Sequence, residues 1–185
     1  MRLWRAVPLD SAAEDDERGG SLWFPREQQG LGRHDNPDRY GCIYGAEDPI
    51  SAIVEALARF RGSGRLTAPM LARSGRPLAL AEIELPEDAP TIDLDDPVLL
   101  AEWELRPSLI ATHHRELTQD IAEDLYLEHD DVVGLRWWST YEATWRNWTL
   151  FGDRAGPLLR LVEVNEMRLD DPDIREAAAM LGLNS

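Results

Sequence analysis

The sequence predicts a single α+β domain spanning residues 1–185. Three observations point there. The length, with 43% hydrophobic residues, suits one apolar core that needs neither metals nor disulfides to fold. Candidate strands and helices alternate irregularly instead of in a regular βαβ rhythm. Beyond Val132 the candidate strands have only short connections, which disfavours a doubly wound parallel sheet.

The elements follow in chain order. Leu3–Val7 is the first predicted strand. From Asp10 to about Asp38 the chain is polar and irregular, and a loop of that length inside a compact domain is usually functional. Cys42–Ala46 reads as a short buried strand. Asp48-Pro49 opens a helix, with an acceptor at the N-cap and proline at the first helical position. Ile50, Ile53, Val54, Leu57 and Phe60 recur at helical spacing as its buried face, while Ser51 and Glu55, four apart, share a neighbouring face. Arg61-Gly62-Ser63-Gly64 ends it.

Leu78–Leu85 is the next predicted strand, and it runs into an acidic segment, Glu82 to Glu104, that contains no basic residue. That segment reads as a solvated edge with short turns. Ser108 to about Glu128 is a second long helix with Leu109, Ile110, Leu117, Ile121 and Leu125 inward. Val132–Thr140 and Asn147–Phe151 are strands rich in β-branched and aromatic residues, and Leu158–Met167 is a further one. Asp171-Pro172 caps a last helix ending near Gly182.

Charge narrows the partners. The 19 basic and 35 acidic residues give a formal net charge of −16, a field that repels nucleic acid and anionic membranes. A phosphate site must then be local, built from a few arginines and backbone N–H groups. Every basic residue is arginine, which excludes a lysine Schiff base, a lysine general base and a Walker-type loop. One cysteine, Cys42, excludes an intramolecular disulfide and a cysteine-rich zinc site. No long apolar run spans a bilayer and the N-terminus lacks a signal-peptide core, so the expected address is the cytoplasm.

Several residues are candidates for chemistry. Arg33, after Gly32 and before His34-Asp35-Asn36-Pro37, sits on a tight polar turn where a guanidinium fork can grip a pyrophosphate. The alternative is an ion pair with Asp35 or another surface carboxylate. Tyr44 lies where a strand feeds the helix of Glu55, so its ring either stacks on a nicotinamide or adenine ring or packs in the core. Glu55 has apolar neighbours and is expected at the edge of the core, where a carboxylate needs a partner. That partner is Arg59, four residues on, or a ribose hydroxyl or the developing charge of a breaking glycosidic bond. Ser139 follows Arg136-Trp137-Trp138 in a strand leading to Trp145 and Trp148, tryptophans that form either a stacking wall or cross-strand packing. A nucleophilic role for Ser139 requires a paired base, which the sequence does not identify. His113-His114 with Glu116 and Asp120 lacks metal-site spacing, and no metal is expected.

Taken together, Gly32–Pro37, Gly41–Pro49 with Ala52 and Glu55, Thr118-Gln119 with Ala122, Gly134–Ser139 and Asn147–Phe151 resemble the RES domain family, named for its Arg, Glu and Ser. The resemblance implies a fold similar to ADP-ribosyltransferases and an NAD-consuming activity. It further implies the toxin of a bacterial toxin–antitoxin pair, with an Xre-like antitoxin as partner; homo-oligomerisation is an additional option. By motif match Arg33, Glu55 and Ser139 are the catalytic candidates. Arg5, Arg33 and Tyr44 would bind NAD, which is substrate and not cofactor. His34 stands where many members have an aromatic residue, and Trp138 where proline is common. The implied reaction is cleavage of the nicotinamide–ribose bond by hydrolysis, phosphorolysis or ADP-ribosyl transfer. The rival readings are a non-catalytic NAD-binding module of the same fold and an acidic protein-interaction module.

Overall fold

A computed structural model describes residues 1–184. The strands are β1 (Arg2–Pro8), β2 (Cys42–Ala46), β3 (Ala72–Arg73), β4 (Arg76–Glu84), β5 (Thr91–Asp93), β6 (Gly134–Trp138), β7 (Arg146–Phe151) and β8 (Arg160–Glu166). The helices are α1 (Pro49–Leu57), α2 (Pro97–Glu102), α3 (Pro107–Ile110), α4 (Arg115–Glu128), α5 (Gly152–Ala155) and α6 (Pro172–Met180). The expected α+β class is the one found. Among the described residues, no helix is long and apolar enough to cross a membrane.

The chain forms two compact units. The first holds Met1–Trp23, Gly45–Glu84 and the chain from Arg160 onward. Its frame is β1 antiparallel to β4, in register from Arg2↔Glu84 to Pro8↔Leu78. β8 also lies antiparallel on β4, with a register shift between Glu82 and Ile83. Strand alternation turns Leu3, Arg5 and Val7 inward on β1. An arginine therefore occupies a position that the pattern reserves for an apolar side chain. α1 packs on β1 and on α6, burying Ile53, Val54 and Leu57 against a face that includes Ile174 and Ala178.

The second unit holds Phe24–Tyr44 and Leu85–Leu159. Its strand order is β2-β7-β6-β5. β6 and β7 are antiparallel from Gly134↔Leu150 to Trp138↔Arg146, and β5 runs parallel to β6. Tyr40, Leu94, Leu135, Trp137 and Phe151 form the centre of its core, with Ala122 and Leu125 of α4 packed in.

Two expectations need correction. The single helix expected over 108–128 is two helices, α3 and α4, separated by residues 111–114. The break lies where Arg33 Nη1 donates to the carbonyls of Ile110 and Thr112, at 2.8 and 2.9 Å, which takes those acceptors out of a helical ladder. The acidic segment is also more than a solvated edge. Ile92, Leu94 and Leu100 are buried, so β5 and α2 form around them. Asp93 and Asp95 are neutralised by Arg136 and Arg146 at 2.7 and 2.6 Å.

Candidate functional site

The turn before β2 is built around one carboxylate. Asp35 Oδ2 accepts the N–H groups of Gly30 and Gly32 at 2.8 and 2.7 Å. Its Oδ1 accepts the Tyr44 hydroxyl at 2.7 Å, and that hydroxyl oxygen accepts the His34 N–H at 3.0 Å. Gly32 is required by space: a Cβ there would stand 2.5 Å from both Asp35 Oδ1 and the Tyr44 hydroxyl. The surface pairing of Arg33 with Asp35 is not what forms. Asp35 is spent on the turn and on Tyr44, while Arg33 points elsewhere.

Arg33 is 6% exposed, with both Nη1 hydrogens on backbone carbonyls and its guanidinium 4.7 Å from the Trp137 ring centre. The Thr118 hydroxyl donates to the Arg33 carbonyl, and Gln119 Nε2 donates to the carbonyls of Gly32 and Gly30. α4 therefore clamps the same turn from its first two turns. Thr118 and Gln119 were visible only as motif positions; the signal was a threonine on the buried face of an amphipathic helix.

His34 is fully enclosed and touches the edge of Trp137, ring centres 5.6 Å apart at 84°. Its Nδ1 lies 2.8 Å from Thr149 Oγ1, which also accepts the Trp137 indole N–H at 3.1 Å. One buried hydroxyl thus serves both the indole and the imidazole. Burial first, then the charges of Arg33 and Arg115, push its pKa from 6.5 down to about 3. His34 is therefore neutral at physiological pH. Burial, with the neighbouring Cys42 and Asp35, holds the Tyr44 hydroxyl well above its ordinary pKa, so Tyr44 stays a donor.

Ser139 directly follows β6, two residues beyond Trp137, and is 2% exposed. Its N–H donates to the Trp145 carbonyl at 3.0 Å, and its Oγ accepts the Tyr141 N–H at 3.1 Å. The serine pins the loop between β6 and β7. Trp137 and Trp148 are buried packing residues, 6% and 3% exposed, so the four tryptophans do not form one open wall.

In the first unit, Asp48 caps α1 as expected, accepting from the N–H groups of Ile50 and Ser51. Ser51 is fully buried, whereas Glu55, one turn on, is exposed and not at the edge of the core. The buried face of α1 continues past Glu55 to Leu57, so Glu55 itself turns away from it. The Arg59 guanidinium lies over the Phe60 ring at 4.6 Å. Arg5 is 9% exposed and donates Nη2 to the Trp23 carbonyl at 3.2 Å. Its Nε and Nη1 meet no protein acceptor among the described residues. Burial lowers its pKa to about 10. Among the described residues, no group of three or more His, Cys, Asp or Glu side chains is placed to hold a metal ion.

The geometry thus gathers Arg33, His34, Asp35 and Tyr44 in one unit with Ser139 at the end of the strand that carries Trp137, and places Arg5 and Glu55 in the other. No curated protein matches the sequence. Among solved structures, the chain resembles one in the crystal structure of the M. tuberculosis MbcT–MbcA toxin–antitoxin complex, with a TM-score of 0.62 and 17% identity. That likeness covers 98% of this chain and 87% of the other, and it shows a shared fold. The RES domain family model matches residues 2–172, a span that includes Arg5, Arg33, Tyr44, Glu55 and Ser139, and the chain belongs to the RES domain family.

Proposed function

We propose that the protein is an NAD-degrading toxin that cleaves the nicotinamide–ribose bond and is held in check by an antitoxin protein. The family match and the likeness to a chain from a toxin–antitoxin complex support this reading. The observation that carries it is Arg5. A guanidinium facing inward on β1, with two buried nitrogens that meet no protein acceptor among the described residues, costs stability unless an anion satisfies it. In a chain of net charge −16, such a group attracts a phosphate locally against a repulsive overall field.

Each residue then has a role. Arg5 takes the pyrophosphate, and Arg33, fixed through Nη1, adds positive charge. Tyr44 offers its ring to the nicotinamide, since its hydroxyl is committed to Asp35. Glu55, exposed on α1, holds ribose hydroxyls and stabilises the oxocarbenium-like charge as the C–N bond breaks. The bonding electron pair leaves with the nicotinamide nitrogen, which becomes neutral and needs no general acid. Ser139 fixes the strand end beside Trp137. Water, inorganic phosphate or a protein nucleophile then adds to the ribose carbon, releasing its proton where it carries one.

Calorimetric titration with NAD tests the Arg5 role. The wild type binds NAD and Arg5→Met does not, while both remain folded. Equal affinity in the two proteins would remove Arg5 from the site.

A further inference from the structure

We infer that Asp35 is a positioning residue that sets the orientation of the Tyr44 ring while it closes the Arg33 turn. Its functional half rests on the NAD reading above. Three donors converge on this one buried carboxylate, from residues 30, 32 and 44. The two oxygens divide the work. Oδ2 closes the turn through two backbone N–H groups, and Oδ1 fixes a side chain from the neighbouring strand.

Tyr44 is gripped from both sides, because its oxygen also accepts the N–H of His34. A phenol oxygen that donates once and accepts once in fixed directions is pinned at the far end of the ring, so the direction of the ring's long axis is set by both bonds. Burial keeps it protonated, so the donor is present throughout the physiological range. The missing Cβ of Gly32 lets the carboxylate and the phenol approach at all. Between Gly32 and His34, both tied to this cluster, Arg33 has little freedom of its own. The Asp35–Tyr44 bond therefore ties the ring to the same turn that carries Arg33.

Asp35→Asn separates the two jobs. An asparagine can keep its oxygen on the Gly30 and Gly32 N–H groups, but it then turns an NH2 donor toward Tyr44, whose own proton loses its acceptor. Tyr44→Phe removes the same bond from the other end. The test uses wild type, both single variants and the double variant, with 13C-labelled tyrosine for NMR and nicotinamide release for activity.

We expect the Tyr44 ring signals of Asp35→Asn to shift or broaden while its thermal midpoint stays within a few degrees of wild type. We expect kcat/KM for NAD to fall at least tenfold in each single variant, and the double variant to be no worse than the weaker single one. Unchanged Tyr44 signals in Asp35→Asn overturn the positioning role, whatever the activity. Independent, multiplicative losses in the double variant also overturn it. Perturbed Tyr44 signals in a protein whose wild type neither binds nor cleaves NAD support the positioning role and sink the NAD reading instead.

Discussion

Replacing Thr149 by valine tests whether the buried polar cluster beside the Arg33 turn is organised as described. Thr149 is completely buried, and its hydroxyl serves two groups at once, the Trp137 indole N–H at 3.1 Å and His34 Nδ1 at 2.8 Å. Valine keeps the shape, so no cavity arises, but it strands the indole N–H and one His34 ring nitrogen out of reach of water. Each stranded group costs about 1–3 kcal/mol, so the variant should lose about 2–6 kcal/mol. That is a large part of the roughly 5–15 kcal/mol by which a domain is stable, yet small enough to leave it folded in the cold. Thr149→Ser keeps the hydroxyl and gives up one methyl, for about 1 kcal/mol. Urea unfolding followed by tryptophan fluorescence reads both, with unchanged m-values expected. A valine variant within about 0.5 kcal/mol of wild type, or less damaged than serine, would mean that the Thr149 hydroxyl does not hold this cluster together.

Other outcomes follow from the same geometry. His34, with its pKa at about 3 when folded against 6.5 in the free side chain, lets the unfolded state take up a proton first as pH falls. Stability is then full above about pH 6.5 and falls toward pH 3 with a slope of about 1.4 kcal/mol per pH unit from this residue alone. His34→Asn should flatten that part of the pH–stability curve, and an unchanged slope would refute the shift. Arg5→Met should raise the melting temperature while abolishing NAD binding, because it removes a buried charge with unmet donors; a lower melting temperature would show that the free protein needs the guanidinium. Gly32→Ala, which puts a methyl 2.5 Å from Asp35 and Tyr44, should cost activity and stability together, and a neutral result would contradict the close approach.

What the sequence made legible was local. Asp48 and Pro49 announced α1 by capping chemistry alone, and the short apolar run Cys42–Ala46 is β2 to the residue. Ile53, Val54 and Leu57 were found inward by their spacing. What stayed hidden depended on residues far apart in the chain. The break between α3 and α4 comes from Arg33, some eighty positions earlier, claiming the Ile110 and Thr112 carbonyls. Asp35 looked like a partner for Arg33 because it is near in sequence, but two glycine N–H groups and Tyr44 hold it instead. His34 looked like a bare departure from an aromatic position. Its ring still packs on Trp137, and its extra nitrogen is met by Thr149, a fully buried polar residue of β7. Glu55 was expected at the edge of the core, since its neighbours are apolar; it is exposed, while Val54 and Leu57 on either side of it are buried. Apolar neighbours in sequence do not say which face of a helix a residue takes.

The central claim is that this chain breaks the nicotinamide–ribose bond of NAD, with Glu55 stabilising the charge that develops. Nicotinamide release from NAD by the purified protein free of any antitoxin, with and without inorganic phosphate, tests it most directly. Wild type should release nicotinamide in at least one of the two conditions, and a folded Glu55→Ala variant should lose about 100-fold or more of that activity. No release by folded wild type in either condition, or full activity in Glu55→Ala, would contradict it.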